Sequence, residues 1–451
     1  MQTCSRYGRT TGEGIMFKKG VSMRSCRGSV IGKRCLPVSF AILLMQVSTA
    51  PAVTPGQADS AIRAFNTVYW NASNKTFYKQ DNKTGLLDFW MYAHAWETEM
   101  DAYERTHDTA YLHKIQDAYA GFTALNGTDW SSNSYNDDIA WWVLACTRAY
   151  QLTGDTTYGS VAKRNFDWVY ATQCDTIFGG GIWWRNTVHA TKNACVNNPM
   201  VIAAVNLYLI TGDRGYLDKA TSLYGWIRQK LFAAGKIWDN IGSNGQPAGS
   251  AYTYNQGTFI GAAYGLFKET GDSAYLREAF QTADYTRQTM CSVSGILPDE
   301  GTGNDAGCFK TVFVHHMMRL ILDGKQRQYL PWMNANAVSV WNNRRRSDNI
   351  MWNHWATAAP TTTITSQCAS GGVALLNLMA IADAQTGINR PINAKPAVAV
   401  RADREGRAFS VNGRVVNRAA PNAAAGLKLL QAENGRVMKH VECRGTNERK
   451  R

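Results

Sequence analysis

The sequence predicts an all-α protein, an (α/α)6 barrel of six helical hairpins with a small C-terminal β-type or disordered appendage. Three observations carry that prediction: a turn that recurs along the chain, apolar residues at helical spacing around it, and loops whose chemistry differs between the two ends. The turn reads THDTAYL from Thr106, TGDTTYG from Thr153, TGDRGYL from Thr211 and TGDSAYL from Thr270. Its starts lie 47, 58 and 59 residues apart, a range in which self-similarity marks stacked supersecondary units. The Gly suits the left-handed position that closes a helix. The Asp accepts from the free N–H groups that open the next one, and the Tyr three residues on packs into the hairpin.

Periodicity then fixes each element. Phe89, Ala93, Trp96, Met100 and Tyr103 share one helical face before the first turn. Ile139, Trp142, Cys146 and Ala149 do so before the second, and Leu217, Ala220, Tyr224, Ile227 and Leu231 after the third. Extended along the chain, the pattern gives helices near 59–70, 88–105, 109–124, 138–152, 156–172, 199–210, 214–231, 257–269, 273–290, 311–322, 326–342 and 368–386. No comparable set of alternating strands is present. Twelve such helices close into a ring without special capping repeats, which an open solenoid, the alternative, would need. The tight turns all follow even-numbered helices and so lie at one end. The connections before those helices are long and hold NGTDWSSNSYNDD, FGGGIWWRNTVHATKNACVNNP, WDNIGSNGQPAGSAYTYNQG and PDEGTGNDAGCFK. One end is therefore plain, and the other is a polar and aromatic cleft into which helix N-termini point.

The ends of the chain carry its charge. The net +14 suggests nucleic acid at first sight, but residues 41–389 hold 26 basic and 28 acidic side chains. A phosphate-binding face is not expected on that body. Residues 1–50 read as an N-terminal extension and signal peptide. Lys33 and Arg34 precede the apolar run LPVSFAILLMQVSTA at 36–50, which ends in small residues. Residues 51–388 form the barrel domain, and no later segment approaches eighteen apolar residues, so no membrane span is expected. Export makes the six body cysteines candidates for disulfides, with 174–195 and 291–308 the expected pairs because each brackets one loop. No CxxC pair occurs, and His315-His316 reads as helix surface, so neither a metal nor a cofactor is expected. Phosphate and dinucleotide loops and a serine elbow are absent from the sequence.

Asp137-Asp138, at the start of a helix on the furnished end, is the catalytic candidate. Adjacent carboxylates repel, which separates their pKa values. The helix N-terminus favours one as an anion while burial keeps the other protonated, the pair that glycoside hydrolysis requires. Helix capping is the alternative, against which stand Trp141 and Trp142 one turn later. Sugars need flat apolar faces and dense hydrogen bonding. Trp183 and Trp184 follow Gly179–Gly181, which would let backbone approach a ligand. Asn193, Asn197, Asn255 and Gln256 offer amides, and Tyr254 and Phe309 offer stacking faces. Core packing is the alternative for each aromatic.

The segments YNDDIAWW, FGGGIWWRNTVHATKNACVN, TYNQGTFIGA and the TGD turns, in this order over residues 60–386, resemble glycoside hydrolase family 76, the endo-α-1,6-mannanases. The resemblance implies an (α/α)6 barrel that hydrolyses α-1,6-mannan with retention. Asp137 would be the nucleophile and Asp138 the general acid/base. From their own chemistry, Trp141 and the aromatic and amide residues above are expected to contact substrate. Phe309 and Lys310 match a family Phe-Lys-Gly stretch and join that binding set, but Thr311 replaces its glycine, a change that would alter one subsite. After Gly387, residues 389–451 are a Pro-containing linker and a basic region. Its short apolar runs between NG and EG dipeptides suggest a few strands with tight turns. This region resembles the small β-sandwich sorting domains of exported bacterial enzymes; a basic disordered tail is the other reading, and either would suit attachment to an acidic cell surface. The expected function is that of a secreted endo-acting α-1,6-mannanase whose partner is the polysaccharide. A mannan transglycosidase and a catalytically inactive glycan-binding protein are the alternatives.

Overall fold

The computed structural model describes residues 53–303 and 305–386, with short strands at 401–402, 407–409 and 415–418. The expected signal segment and most of the basic C-terminal region lie outside the described residues. Twelve α-helices build the described body: α1 (Pro55–Tyr69), α2 (Phe89–Thr106), α3 (Thr109–Asn126), α4 (Asn136–Thr153), α5 (Thr156–Gln173), α6 (Ala194–Thr211), α7 (Arg214–Lys230), α8 (Thr253–Thr270), α9 (Ser273–Tyr285), α10 (Phe309–Leu322), α11 (Leu330–Asn342) and α12 (Ser366–Thr386). A π turn at Thr286–Met290 prolongs α9.

The even-numbered helices form a closed ring. Neighbours pack in order from α2 to α12, and α12 returns to α2. That closure is what distinguishes a barrel from an open stack. Outside the ring α3, α5, α7 and α9 each lie on the inner helix that precedes them, while α1 and α11 both lie on α12. Composition follows position. The inner helix α6 is buried along nearly its whole length, from Ala194 to Leu207. It is also long and apolar enough to cross a membrane, but most of it is buried inside the barrel. The outer helix α7 buries a single stripe, including Tyr216, Ala220, Leu223, Tyr224 and Ile227.

The recurring turn works as its residues suggest. His107, Gly154, Gly212 and Gly271 close their helices in the left-handed region. Asp108, Asp155, Asp213 and Asp272 then accept from the N–H groups of Ala110, Thr157, Gly215 and Ala274 at 2.8–2.9 Å. The tyrosine does something different from what its spacing suggests. Tyr158, Tyr216 and Tyr275 meet Tyr119, Phe166 and Tyr224 edge-on, with centroids 4.8–5.4 Å apart. Each ring thereby joins its own outer helix to the previous one, zipping the outer layer together.

The strands of the barrel domain are two residues each and lie only in connections that lead to inner helices. β1 (Trp70–Asn71) pairs with β2 (Thr76–Phe77) before α2. β3 (Lys192–Asn193), immediately before α6, joins an antiparallel sheet with β6 (Asn240–Ile241) and β7 (Pro247–Ala248). β4 (Phe232–Ala233) and β5 (Lys236–Ile237) form a hairpin after α7. In the C-terminal region β8 (Arg401–Ala402), β9 (Arg407–Phe409) and β10 (Val415–Arg418) pair antiparallel in that order.

Two readings of single residue types are corrected. All six cysteines among the described residues are free thiols, so the 174–195 and 291–308 pairs do not form. Cys174 caps the outer helix α5, whereas Cys195 sits in the first turn of the inner helix α6 with its thiol on Asp137. Cys308 is buried beside Cys368. His315, read as helix surface, is 4% exposed. Its Nε2 lies 2.9 Å from Asp101 and its Nδ1 3.4 Å from Glu97, in an ion network along the barrel interior. Arg148 on α4 binds Asp101 at 2.5 Å and Glu104 at 3.3 Å, and Arg319 pairs with Glu104. Glu97, Asp101 and Glu104 on α2 are thus matched by His315, Arg148 and Arg319 across three inner helices, the condition under which buried charge is tolerated.

Candidate active site

The furnished end is built by two loops zipped together. Asn136 donates its backbone N–H to the Trp184 carbonyl at 2.9 Å, and Asn186 donates to the Ser134 carbonyl at 3.1 Å. The Asn136 side chain donates to the Trp183 carbonyl at 2.8 Å. This pairing presses the end of the 177–186 loop against the first turn of α4, where Asp137 and Asp138 occupy the second and third positions.

The two carboxyls face different surroundings. Asp137 Oδ2 accepts from the Cys195 thiol at 3.3 Å, and the Trp184 side chain hydrogen-bonds the same carboxylate. Its Oδ1 is buried without a partner. Asp138 Oδ2 accepts from Asn133 at 3.1 Å and feels Asp137, Asp305 and Asp88. Burial is the main cause that raises both groups, Asp137 to about 6 and Asp138 to about 8. Cys195 and Trp184 hold Asp137 down, whereas the Asp137 charge pushes Asp138 further up. The two groups are coupled, and the direction of the difference favours the charge on Asp137 and the proton on Asp138.

Aromatic rings line the next layer. Trp141 is buried edge-on to His94 (5.1 Å), 5.9 Å from Trp90 and 6.3 Å from Tyr254. Tyr254 lies flat on Phe309 at 4.0 Å. Asn255 donates to Asp239 at 2.9 Å and keeps its Oδ1 unpartnered. Lys310 is buried at the start of α10 without a hydrogen bond for its ammonium, 5.9 Å from the Trp355 ring. Burial pulls its pKa down against the nearby Glu300 and Asp299. Thr311, which replaces the expected glycine, turns toward α12 and hydrogen-bonds Ser370 at 2.8 Å. Gly371 takes up the space, since a Cβ there would lie 3.2 Å from Thr311.

Other residues of the expected set build the walls. Asn197 accepts from the Ile182 N–H at 2.8 Å and donates to the carbonyls of Ile182 (3.0 Å) and Asn193 (2.8 Å). Gln256 brackets Ile237 in the same way, at 3.0 Å on both sides. Asn193 lies in β3 and accepts from the Thr191 hydroxyl at 2.7 Å. Trp183 is 2% exposed, donates to Asp175 at 2.8 Å and stacks on His189. Gly179–Gly181 all have positive φ. A Cβ on Gly181 would lie 2.7 Å from the Trp226 ring, so these glycines let the loop lie on α7.

Lys192 was not singled out by sequence, yet it holds this loop from below. Its fully buried ammonium donates to Asp175 (2.6 Å) and to the carbonyls of Ile177 (2.8 Å) and Gly180 (2.7 Å). Lys192→Met is expected to lower unfolding free energy by about 2–3 kcal/mol, below the cost of breaking a fully buried pair because Asp175 is part-exposed. Chemical denaturation of the two proteins measures it. Asp239, Asp305 and Cys195 were missed as well. Asp239 and Asp305 lie in loop strings that resemble turn chemistry, and Cys195 reads as a disulfide partner in an exported chain. His94, Glu97 and His315 place three ligand atoms within 4.8 Å of one another, the one such group among the described residues. A metal ion there would have to displace the His315 proton, which Asp101 and Glu97 hold to about 9, and would sit beside Arg148, 3.5 Å from Glu97.

Fold and site together define an (α/α)6 barrel protein with paired carboxyls at the start of an inner helix, beside buried aromatics and amides. Residues 56–388 match glycosyl hydrolase family 76, and the chain belongs to that family. It is 23% identical over 283 residues to the mannan endo-1,6-alpha-mannosidase DCW1 of Candida glabrata, a match covering 56% of this chain and 60% of that protein. The GH76A alpha-1,6-mannanase from Salegentibacter sp. HEL1_6 is 30% identical with a TM-score of 0.67, covering 72% of this chain and 98% of that one. An inactive variant of that mannanase, changed at two consecutive aspartates and in complex with alpha-1,6-mannotriose, matches at 29% identity and TM-score 0.67 over 72% of this chain and 98% of its own.

Proposed function

We propose that this chain is a secreted, endo-acting α-1,6-mannanase that hydrolyses α-1,6-mannan with retention through a covalent glycosyl-enzyme. The observation that carries the reading is the pair at the start of α4. Asp137 is held on one oxygen and free on the other, and Asp138 beside it keeps its proton to higher pH. The two named mannanases, and the mannotriose bound by a doubly substituted variant of one of them, supply the substrate class.

In the first step Asp137 Oδ1 attacks C1 while Asp138 gives its proton to the glycosidic oxygen, and the C1–O bond breaks. Asp138, now a carboxylate, takes a proton from water, whose oxygen attacks C1 and releases Asp137. Two inversions give net retention. Trp184, Tyr254 and Phe309 offer faces to the sugars, with Trp141 beneath, while Asn193, Asn255 and Lys310 offer polar atoms. Trp183, Asn197 and Gln256 hold the walls. The near-neutral body suits an uncharged polysaccharide, and the basic ends fit attachment at a cell surface. Incubation with α-1,6-mannan followed by product sizing tests the reading. Short mannooligosaccharides are expected. Lengthened chains would mean transfer to sugar instead of water, and binding without products would mean a glycan-binding protein.

A further inference from the structure

The geometry points to Cys195 as a positioning residue for the nucleophile: its thiol donates to Asp137 Oδ2 and leaves Oδ1 free to face the sugar. This rests on the reading of Asp137 as nucleophile. Cys195 is 3% exposed in the first turn of α6, with its sulfur 3.3 Å from Oδ2. The Tyr254 hydroxyl hydrogen-bonds the same sulfur and lies 3.4 Å from Asp239, while its ring is clamped on Phe309. The sulfur is therefore fixed from two inner helices and has little freedom to turn away.

The surroundings also fix which way the proton points. Burial, Asp137 and Asp239 all oppose a thiolate, so Cys195 stays protonated and meets the carboxylate as a donor. A thiol is a weak donor, and this matters for chemistry. It orients the carboxylate without withdrawing as much electron density from the attacking oxygen as a hydroxyl would. The titratable groups facing Asp137 are Asp138 on its own helix, Cys195 on α6, Tyr254 on α8 and Asp305 before α10. Only Cys195 among them has a direct hydrogen bond to Asp137, a role it shares with the Trp184 side chain.

The test is the pH dependence of kcat/KM on α-1,6-mannan for the full chain, Cys195→Ala and Cys195→Ser, with Asp137→Asn as reference. Removing the donor should move the acid limb of Cys195→Ala to higher pH and lower kcat about 10-fold, with KM within about 2-fold. The stronger hydroxyl donor of Cys195→Ser should move the acid limb the opposite way. Shifts of opposite sign support the inference, because loss of packing alone would relieve the burial of Asp137 and move the Cys195→Ala acid limb to lower pH instead. Unchanged acid limbs in both variants, with Asp137→Asn inactive, would overturn it and leave the nucleophile standing. An active Asp137→Asn would instead overturn the reading beneath it. Should Cys195→Ala fail to fold, the Cys195→Ser shift decides alone.

Discussion

Asp137→Asn is expected to lower kcat on α-1,6-mannan by about 10⁴-fold or more while leaving thermal unfolding near that of the parent. The amide keeps the shape of the side chain but cannot form the glycosyl ester, so the double displacement loses its first step. Fold stability should survive because Asp137 is not a helix cap and its Oδ1 bonds to nothing in the protein. Asp137→Gly makes the same point by rescue. Azide would occupy the emptied side of C1 and release a β-mannosyl azide, inverted relative to the substrate, detected by NMR. Failure of azide to restore turnover, together with substantial activity in Asp137→Asn, would place the nucleophile elsewhere.

Asp138→Asn is expected to cost about 10²–10⁴-fold on mannan, the usual contribution of a positioned general acid. The loss should shrink at the first step on aryl α-mannooligosaccharides, whose phenolate leaves without a proton. The parent pH profile should be a bell. Below about pH 6 Asp137 takes up a proton and stops attacking. Above about pH 8 Asp138 gives its proton up and no longer assists the leaving oxygen. Activity therefore rises through the first value and falls through the second, and Asp138→Asn should lose the alkaline limb alone. An alkaline limb that persists in that variant would assign it to another group.

Apolar patterning located all twelve helices, because the outer ones carry an apolar stripe at 3.6 spacing and inner ones such as α6 are apolar over most of their length. It was least accurate where the chemistry lies. The inner helices α6 and α8 begin at Ala194 and Thr253, several residues before the expected 199 and 257. Their first turns carry Cys195, Asn197, Tyr254, Asn255 and Gln256, which face the cleft or its loops, so they break the apolar pattern that marks a core helix. Pro199 also looked like a helix start but lies inside α6. At the other extreme, Thr54 and Gln57 form a capping box that starts α1 at Pro55, a local signal overlooked beside the preceding signal-like segment.

The candidate site was legible in part. Paired carboxyls at a helix start are a local pattern, and Asp137-Asp138 could be read from it. Which amides point to ligand and which to backbone depends on long-range pairing, as with Asn197 on Ile182 and Gln256 on Ile237. The support for Asp137 was hidden for the same reason. Cys195 lies 58 residues away in sequence, and the even cysteine count favoured disulfides over a free thiol. Lys192 was hidden for another reason: its three partners lie 12–17 residues back in the same irregular connection, whose folding over the lysine leaves no periodic signal.

The most direct measurement is the anomeric configuration of the first product released from α-1,6-mannan, followed by ¹H NMR before mutarotation. Double displacement at Asp137 predicts that the new reducing end appears first as the α-anomer and that β-anomer accumulates only later. Initial release of the β-anomer would mean direct attack by water, and would contradict a covalent intermediate on Asp137.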